Sequence, residues 1–266
     1  MTVNTLAPVP MSPPLPTALA GRGVVVVGGS SGIGLAAGAL LASVGARVTL
    51  VARDRDRLAA AVDRVRTSAA ATGTVTGTVT GTAADGSDEH DLRRVLDEAG
   101  PVDHVLVTAG DLAGGPFLDT PVEQLRQAVD GRFWGAYGAA RAAARVLPPG
   151  GSITFSSGLY LQRPIPGAAA AIAILGAVEG LTRTLAVELA PLRLRVNTVR
   201  YGIVDTPLSR GTFGLDGEEA VAAAGSGTPL GRFGTAQEAA SASLFLMANN
   251  FVTGTVLTVD GGQSLA

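Results

Sequence analysis

The sequence predicts an α/β fold with a doubly wound parallel sheet in a single domain. The chain has 266 residues, of which 47% are hydrophobic, so it can bury the core of one large domain. Short β-branched runs alternate with helical patterns, which is typical of a parallel sheet with helices on both faces and right-handed crossovers. No shift in composition marks an internal boundary, so residues 21–266 are predicted to form one domain.

The first half of this domain repeats a strand followed by a helix. The run GVVVVGG is short, β-branched and closed by glycine, as expected for a strand buried on both faces. The helical pattern that follows ends at Gly45, which suits the position after a C-cap. The Thr-rich repeat at 72–82 suits a short strand, because it contains Val75 and Val79. The other predicted elements are strands at 47–53 and 104–110 and helices at 54–70 and 87–98.

Helix starts in the second half are marked by a threonine with a glutamate three residues later. Thr120 with Glu123, and Thr235 with Glu238, each predict a capping box. Residues 207–234 are rich in glycine and are predicted to contain one short helix. The other predicted elements are helices at 120–147 and 168–190 and strands at 152–157, 195–202 and 255–262.

Composition excludes several classes of partner and mechanism. The formal net charge of −2 lacks the basic surplus that binding to nucleic acid or to an anionic membrane requires. All 20 Lys+Arg residues are arginine and there is no cysteine, so no mechanism that needs a lysine or a thiolate is available. We expect no transmembrane span and no signal peptide, hence a cytoplasmic protein. Residues 1–20 are proline-rich and are predicted to be a flexible leader outside the fold.

A glycine-rich loop joins the first predicted strand to the first predicted helix. Glycines let the backbone approach a phosphate, and a helix N-terminus supplies free N–H groups and a partial positive charge. The position after a buried strand and before a helix favours this interpretation over an ordinary tight turn. The loop consists of Gly28, Gly29, Ser30, Ser31, Gly32, Ile33 and Gly34.

The spacing of this loop, G-x-x-x-G-x-G, resembles that of the short-chain dehydrogenase/reductase family, with Val27 at the family's threonine position. The resemblance covers nearly everything after residue 20 and continues in the segments VTAG, GSITFSS, RVNTVRYGIVDTP and FVTGTVLTVDGG. It implies a Rossmann-like fold that binds a nicotinamide dinucleotide. The cofactor contacts that it implies are Gly28, Ser30, Ser31, Gly32, Ile33, Gly34, Asp85, Thr108, Ala109, Gly110, Gly202, Ile203 and Thr206.

The end of the second strand favours NADP(H) over NAD(H). NAD-dependent members of the family carry an acid here for the ribose 2′-hydroxyl, whereas this chain has Ala52 followed by Arg53. An arginine suits a 2′-phosphate through charge-assisted hydrogen bonds, and no acid repels the phosphate. The alternative is that Arg53, Arg55 and Arg57 form a solvated helix start.

The resemblance also indicates which catalytic groups are missing. Members of the family usually use a tyrosine as acid/base, a lysine four residues later, a serine and a helix asparagine. The segment LGAVEGLTR resembles the family's K-A-x-x-x-G-L-T-R, which puts Leu175 at the lysine position and Ala171 at the tyrosine position. The asparagine position falls on Arg132, and Ser157 alone keeps the family's residue. The chain therefore resembles a divergent subgroup without the tyrosine and the lysine.

Three residues are predicted to form a substitute catalytic set. Ser157 donates a hydrogen bond to a substrate carbonyl, and Arg132 either stabilises a developing oxyanion or supplies the cation that lowers the pKa of Tyr201. Tyr201 stands where the family's proline packs near the nicotinamide, which makes its phenol the best-placed proton donor; its ordinary pKa of about 10 requires a nearby cation. Tyr160 either lines the same cleft or packs, Tyr137 is predicted to pack in the core, and Asp111 either faces the substrate or ends a strand.

Three functions stay open at this point. The first is an NADP(H)-dependent oxidoreductase that acts on a small or hydrophobic carbonyl or alcohol. The second is a non-redox enzyme of the same fold, such as a cyclase, isomerase or dehydratase. The third is a cofactor-binding pseudoenzyme or scaffold. We expect a homodimer or homotetramer, and no metal site, because His90 and His104 lack ligand spacing and are predicted to be structural.

Overall fold

The computed structural model describes residues 17–71, 77–110 and 114–266, and it confirms the single-domain α/β fold with a parallel sheet. The strands are β1 (Gly23–Val27), β2 (Arg47–Ala52), β3 (Thr78–Ala83), β4 (His104–Val107), β5 (Ser152–Gly158), β6 (Arg195–Tyr201), β7 (Val204–Asp205), β8 (Gly234–Thr235) and β9 (Val256–Val259). Seven of them form one parallel sheet in the order β3-β2-β1-β4-β5-β6-β9, while β7 pairs with β8. From β1 the strand order runs in one direction through β2 and β3, and from β4 it runs in the opposite direction through β5, β6 and β9. Ligands of such sheets bind at the carboxyl ends of the strands near this point of reversal.

Helices cover both faces of the sheet. They are α1 (Gly32–Ser43), α2 (Arg55–Ala71), α3 (Glu89–Glu98), α4 (Val122–Val129), α5 (Gly135–Ala144), α6 (Ala169–Glu188), α7 (Pro207–Phe213), α8 (Gly217–Gly225) and α9 (Ala236–Ala248). In β1, Val24 and Val26 pack with α1, α2 and α9, whereas Val25 and Val27 pack with α3, α5 and α6. Because successive strand residues point to opposite faces, the valine run serves two cores, as its composition predicts.

Several local predictions are confirmed. Gly45 follows the C-cap of α1 with φ +87°, and Thr235 and Glu238 form the predicted capping box at the start of α9. The second part of the Thr-rich repeat forms β3 with Val79 buried, while residues 72–76 lie outside the described residues.

Other local predictions are wrong. The hydroxyl of Thr120 donates to the carbonyl oxygen of Pro116 at 2.8 Å instead of capping a helix, and α4 begins later with Pro121 as its N-cap. The predicted continuous helix is interrupted by a π turn at Asp130–Trp134. The segment after β7 forms two helices, α7 and α8, instead of one.

The packed domain begins before residue 21. A 3₁₀ turn at Thr17–Leu19 precedes β1, and Ala18 and Leu19 are buried in the core formed with α1 and α9. The end of the proposed leader is therefore corrected, because these apolar side chains complete that core. Residues 1–16 lie outside the described residues.

Among the described helices, α6 is long and apolar enough to cross a membrane by length and composition, with a mean hydropathy of 1.5. It packs along β5 and β6, and Ile174, Leu175 and Val178 are buried there. A core helix of this kind meets the same criterion of length and hydropathy.

The buried histidine of β4 predicts a loss of stability in acid. Burial lowers the pKa of His104 to about 3, whereas the pKa of a histidine in the unfolded chain is about 6.5. Between these values the unfolded state binds a proton that the folded state does not. The free energy of unfolding therefore falls as the pH falls below about 6.5, and His104 accounts for a loss of about 2 kcal/mol at pH 5.

Urea denaturation at pH 7 and at pH 5 measures this loss. His104→Gln keeps an amide opposite the hydroxyl of Ser152, which lies 2.9 Å from His104 Nδ1, and should remove the acid-induced loss that His104 causes. His90→Gln, at an exposed position of α3, is the matched control. A pH dependence that is the same in His104→Gln and in the unchanged protein would contradict the assignment.

Candidate active site

The loop between β1 and α1 has a backbone that a ligand can approach closely. Gly28 has φ +91°, a conformation that favours glycine. A Cβ on Gly34 would lie 2.2 Å from the carbonyl oxygen of Gly28, so the close approach of α1 to the loop requires glycine. The helix begins at Gly32, and its N-cap residue Ser31 makes no side-chain cap hydrogen bond. The N-terminus of α1 therefore offers backbone N–H groups to an anion.

Two other segments border this loop at the carboxyl edge of the sheet. After β4, Thr108 Oγ1 donates to the carbonyl oxygen of Val27 at 3.0 Å, which holds the segment against β1. After β7, Thr206 approaches the loop, because a Cβ on Gly32 would lie 3.5 Å from Thr206 Cβ. The structure thus brings together the segments that contain Thr108, Ala109, Gly110 and Thr206 beside the glycine loop.

The segment directly after β6 is held by the C-terminal part of the chain. The N–H groups of Gly202 and Ile203 donate to Val259 O at 2.9 Å and Gln263 Oε1 at 2.7 Å. A Cβ on Gly202 would lie 2.6 Å from Asp260 Cα, so this position also requires glycine. The Ile203 carbonyl oxygen also accepts from the N–H of Gly234 at 3.2 Å, so the groups that this segment offers a ligand are the Gly202 carbonyl oxygen and the Ile203 side chain.

Arg53 and Asp85 follow neighbouring strands at the same edge. Arg53 is exposed directly after β2, and Asp85 follows β3. The backbone N–H and the hydroxyl of Ser87 donate to Asp85 Oδ1 at 2.9 and 2.7 Å. These hydrogen bonds, with a smaller contribution from the charge of Arg53, hold the pKa of the Asp85 carboxyl below its ordinary value. An exposed cation therefore lies near an ionised carboxylate at the carboxyl edge of the sheet.

The first turns of α6 present an apolar surface at the tyrosine and lysine positions. Ala171 and Leu175 are both buried. A Cβ on Gly158 would lie 3.2 Å from Leu175 Cδ1, so the leucine packs against the end of β5. Neither side chain can transfer a proton or donate a hydrogen bond to a nicotinamide ribose.

Ser157 is part of a buried network that spans β5, α6 and β6. Its hydroxyl donates to Glu179 Oε1 at 2.7 Å. Arg200 donates to both carboxylate oxygens of Glu179, from Nε at 2.9 Å and from an Nη at 2.6 Å. Ser157 and Arg200 stand opposite each other in the β5–β6 pairing, and Glu179 is 4% exposed. The surviving family serine is therefore bound to a bidentate ion pair.

The Glu179–Arg200 pair was not predicted from the sequence. The available signal was an acid, Glu179, in the middle of the apolar pattern of α6, and an arginine, Arg200, within the β-branched pattern of β6. Charged residues are rarely buried unless they are paired, so these two positions were candidates for a mutual contact.

Arg132 reaches the carboxyl ends of β4 and β5 but binds protein groups there. One Nη donates to Gly110 O at 2.9 Å, and the other donates to Ser156 O at 3.2 Å and Ser156 Oγ at 3.3 Å. The residue belongs to the π turn, a feature that is frequent at functional sites. Arg132 thus joins two strand ends, and its role toward an oxyanion stays a prediction.

The prediction that Tyr201 forms one catalytic set with Ser157 is wrong. Its hydroxyl lies 2.9 Å from Ser243 Oγ of α9, and the residue is 5% exposed. Burial raises the pKa of Tyr201 to about 12. Successive residues of β6 point to opposite faces, so Arg200 faces α6 and Tyr201 faces α9. Tyr201 is therefore a core residue on the face of the sheet opposite to Ser157.

The other two tyrosines differ in exposure. Tyr160 lies in the 3₁₀ turn after β5 and is half-buried, and burial raises the pKa of its phenol. Tyr137, expected to pack in the core, is instead exposed on α5, where its ring centroid lies 5.7 Å from that of Trp134. Asp111 lies outside the described residues. Within residues 17–71, 77–110 and 114–266, no group of three or more His, Cys, Asp or Glu side chains could hold a metal ion.

Comparison with known proteins identifies the class to which this fold and loop belong. A family model described as "Enoyl-(Acyl carrier protein) reductase" matches residues 27–264. The chain is 32% identical over 261 residues to the short-chain dehydrogenase/reductase malC of Malbranchea aurantiaca, which covers 93% of this chain and 96% of that protein. It is also 32% identical over 264 residues to the glucose 1-dehydrogenase of Gluconobacter oxydans, with 96% of each chain covered. The chain belongs to the short-chain dehydrogenase/reductase family of oxidoreductases.

Solved structures support the same conclusion. The MalC reductase/Diels-Alderase from Malbranchea aurantiaca superposes with a TM-score of 0.84 at 31% identity, covering 93% of this chain and 98% of that one. A small-chain dehydrogenase in complex with NADPH superposes with a TM-score of 0.73 at 32% identity, covering 92% of this chain and 100% of that one. A short-chain dehydrogenase from Burkholderia cenocepacia in complex with NADP superposes with a TM-score of 0.80 at 28% identity, covering 93% of this chain and 99% of that one.

Proposed function

We propose that this protein is an NADP(H)-dependent oxidoreductase with non-standard catalytic residues, acting on a small or hydrophobic carbonyl or alcohol. The glycine loop carries the proposal: Gly28 with φ +91° and the close packing of Gly34 on Gly28 hold the N-terminus of α1 against the end of β1, where its backbone N–H groups can bind a pyrophosphate. When bound, the cofactor supplies or accepts a hydride. The related structures that contain NADPH and NADP support this choice of cofactor. The exposed apolar side chains of Leu208 and Phe213 on α7, after Thr206, favour an apolar substrate.

We assign the 2′-phosphate of the cofactor to Arg53. The residue is exposed after β2, next to Ala52, where an acid would select NAD(H). Replacing Arg53 by alanine should weaken NADPH binding by about 1–3 kcal/mol, the range of a charge-assisted hydrogen bond, and leave NADH binding nearly unchanged. Fluorescence titration of both nucleotides measures the effect.

Arg57→Ala is the matched control, because Arg57 is also exposed at the start of α2. It should leave both affinities within error of the unchanged protein. If Arg57→Ala weakens NADPH as much as Arg53→Ala does, the arginines form a general basic surface and not a 2′-phosphate site.

A non-redox reaction on the same fold is the second candidate. Ala171 and Leu175 stand where the family's tyrosine and lysine would stand, and Tyr201 lies on the other face of the sheet from Ser157. One relative with 31% identity is described as both a reductase and a Diels-Alderase. A cyclase, isomerase or dehydratase would need the shaped cleft, with or without a net hydride transfer.

A panel of small apolar ketones, alcohols and polyenes, each with one equivalent of NADPH or NADP⁺, distinguishes the two candidates. Substrate conversion with an equal change in absorbance of the reduced nicotinamide supports the oxidoreductase. Conversion with unchanged NADPH supports the non-redox enzyme. If no substrate is converted although NADPH binds, the pseudoenzyme or scaffold becomes the better account.

We also propose that the protein assembles as a cytoplasmic homodimer or homotetramer through α5 and α6. Trp134 and Tyr137 expose aromatic surface beside α5, and Val187 of α6 is 75% exposed. Exposed apolar side chains on neighbouring helices of one face are typical of an interface between subunits. Light scattering after size-exclusion chromatography measures the assembly directly.

A further inference from the structure

We propose that Ser157 presents a hydrogen-bond acceptor to the substrate, so that the site selects ligands with a hydroxyl or amine donor over ketones. The proposal rests on the proposed function for the position of the substrate next to Ser157. It narrows the proposed substrates from carbonyls and alcohols to compounds with a hydroxyl or amine, because a site that polarises a carbonyl would need Ser157 as a hydrogen-bond donor. The direction of the hydrogen bonds around Glu179 supports the proposal.

The Glu179 carboxylate can only accept hydrogen bonds in this arrangement. Arg200 donates to Oε1 at 2.9 Å and to Oε2 at 2.6 Å, which is the bidentate geometry of a guanidinium with an ionised carboxylate. An ionised carboxylate has no proton to donate. The contact of 2.7 Å between Ser157 Oγ and Glu179 Oε1 must therefore use the proton of the serine.

Ser157 has no second proton for a ligand. A serine hydroxyl has one donor and two lone pairs, and the donor is engaged by Glu179. Turning this proton toward a ketone would leave the carboxylate with one hydrogen bond fewer in a buried site, where Ser157 and Glu179 are each 4% exposed. The lone pairs of Oγ stay available to an O–H or N–H group.

The side chains of Arg200, Ala171 and Leu175 do not provide a substitute for the proton of Ser157. Arg200 directs its other Nη to Thr258 Oγ1 at 3.4 Å, on β9. Ala171 and Leu175, at the first turns of α6, have no polar side-chain atoms. A ketone oxygen at Ser157 would face the lone pairs of Oγ, whereas an alcohol would regain there the hydrogen bond that it gave to water.

Cyclohexanol and cyclohexanone are suitable probes, since they differ in the donor and little in shape. Ligand-observed NMR with the full chain and no added nucleotide gives both dissociation constants and avoids turnover. We expect cyclohexanol to bind about threefold to tenfold more tightly, the range of one hydrogen bond. Ser157→Ala should bring the ratio of the two constants close to one.

Ser156→Ala is the matched control, because it removes the hydroxyl of the preceding buried residue, which donates to Val107 O and not to Glu179. It should keep the preference for cyclohexanol. Equal binding in the unchanged protein, preference for the ketone, binding of neither probe, or a preference that persists in Ser157→Ala would overturn the proposal. NADPH titration of the same sample tests the proposed function separately, since the probe ratio needs no cofactor.

A second measurement does not depend on a variant that folds. A buried serine proton bound to a carboxylate exchanges slowly enough for NMR, and we expect a resonance of the Ser157 hydroxyl proton with an NOE to the γ-methylene of Glu179. If this hydroxyl proton exchanges freely with water, or has NOEs to other groups only, Ser157 is not committed to Glu179 and the proposal fails.

Discussion

Replacing Gly34 by alanine should abolish NADPH binding at concentrations that saturate the unchanged protein. The new Cβ would lie 2.2 Å from Gly28 O and 2.6 Å from Thr108 Oγ1. Neither neighbour is free to move, because Gly28 N–H donates to Val51 O and Thr108 donates to Val27 O. The loop has to separate from α1, and a loss of about 3 kcal/mol in binding corresponds to a factor of about 100.

Gly180→Ala is the control for this prediction. Gly180 also lies within a helix, but a Cβ there would have nothing within 4 Å. This change should leave NADPH binding intact and stabilise the protein by about 0.5–1 kcal/mol through helix propensity. Undiminished NADPH binding by Gly34→Ala, measured by fluorescence titration, would mean that the phosphate site lies elsewhere.

Replacing Glu179 by methionine should destabilise the protein by about 3–5 kcal/mol, because it leaves a buried guanidinium without its partner. Arg200 has a side-chain exposure of 12% and makes its ion pair with Glu179 at 2.6 Å. The hydroxyl of Ser157 loses its acceptor as well. Urea denaturation at neutral pH measures the free energy of unfolding.

The double variant Glu179→Met with Arg200→Met separates the loss of the pair from the burial of an unpaired charge. Two apolar side chains of similar volume avoid the desolvation of both charges, so the double variant should recover most of the loss seen in Glu179→Met. If the losses measured for Glu179→Met and for Arg200→Met add in the double variant, the two residues do not act as a pair, which would contradict the network.

The fold could be predicted because it follows from local patterns. The valines of β1 and the alternation of strands with helices indicate a parallel sheet without knowledge of any distant contact. The ends of helices were less predictable where two local hydrogen bonds compete for the same side chain. Thr120 has the sequence of an N-cap, but its hydroxyl binds the Pro116 carbonyl within the preceding turn.

The glycine loop and the Glu179 network likewise differ in how far the sequence alone predicts them. The glycine loop is determined by its own backbone, so Gly28 and Gly34 could be recognised in sequence. The contacts of Glu179 with Ser157 and Arg200 join residues 22 and 21 positions apart on three different elements. Tyr201 was assigned to the wrong face because one residue decides the side to which a strand side chain points.

Side-by-side calorimetric titration of the unchanged protein with NADPH and NADH tests most directly whether this chain is an NADP(H)-binding member of its family. With Arg53 in place of an acid after β2, NADPH should bind at least about tenfold more tightly than NADH, with one nucleotide per chain. Equal affinities, tighter NADH, or no binding of either nucleotide would contradict the account.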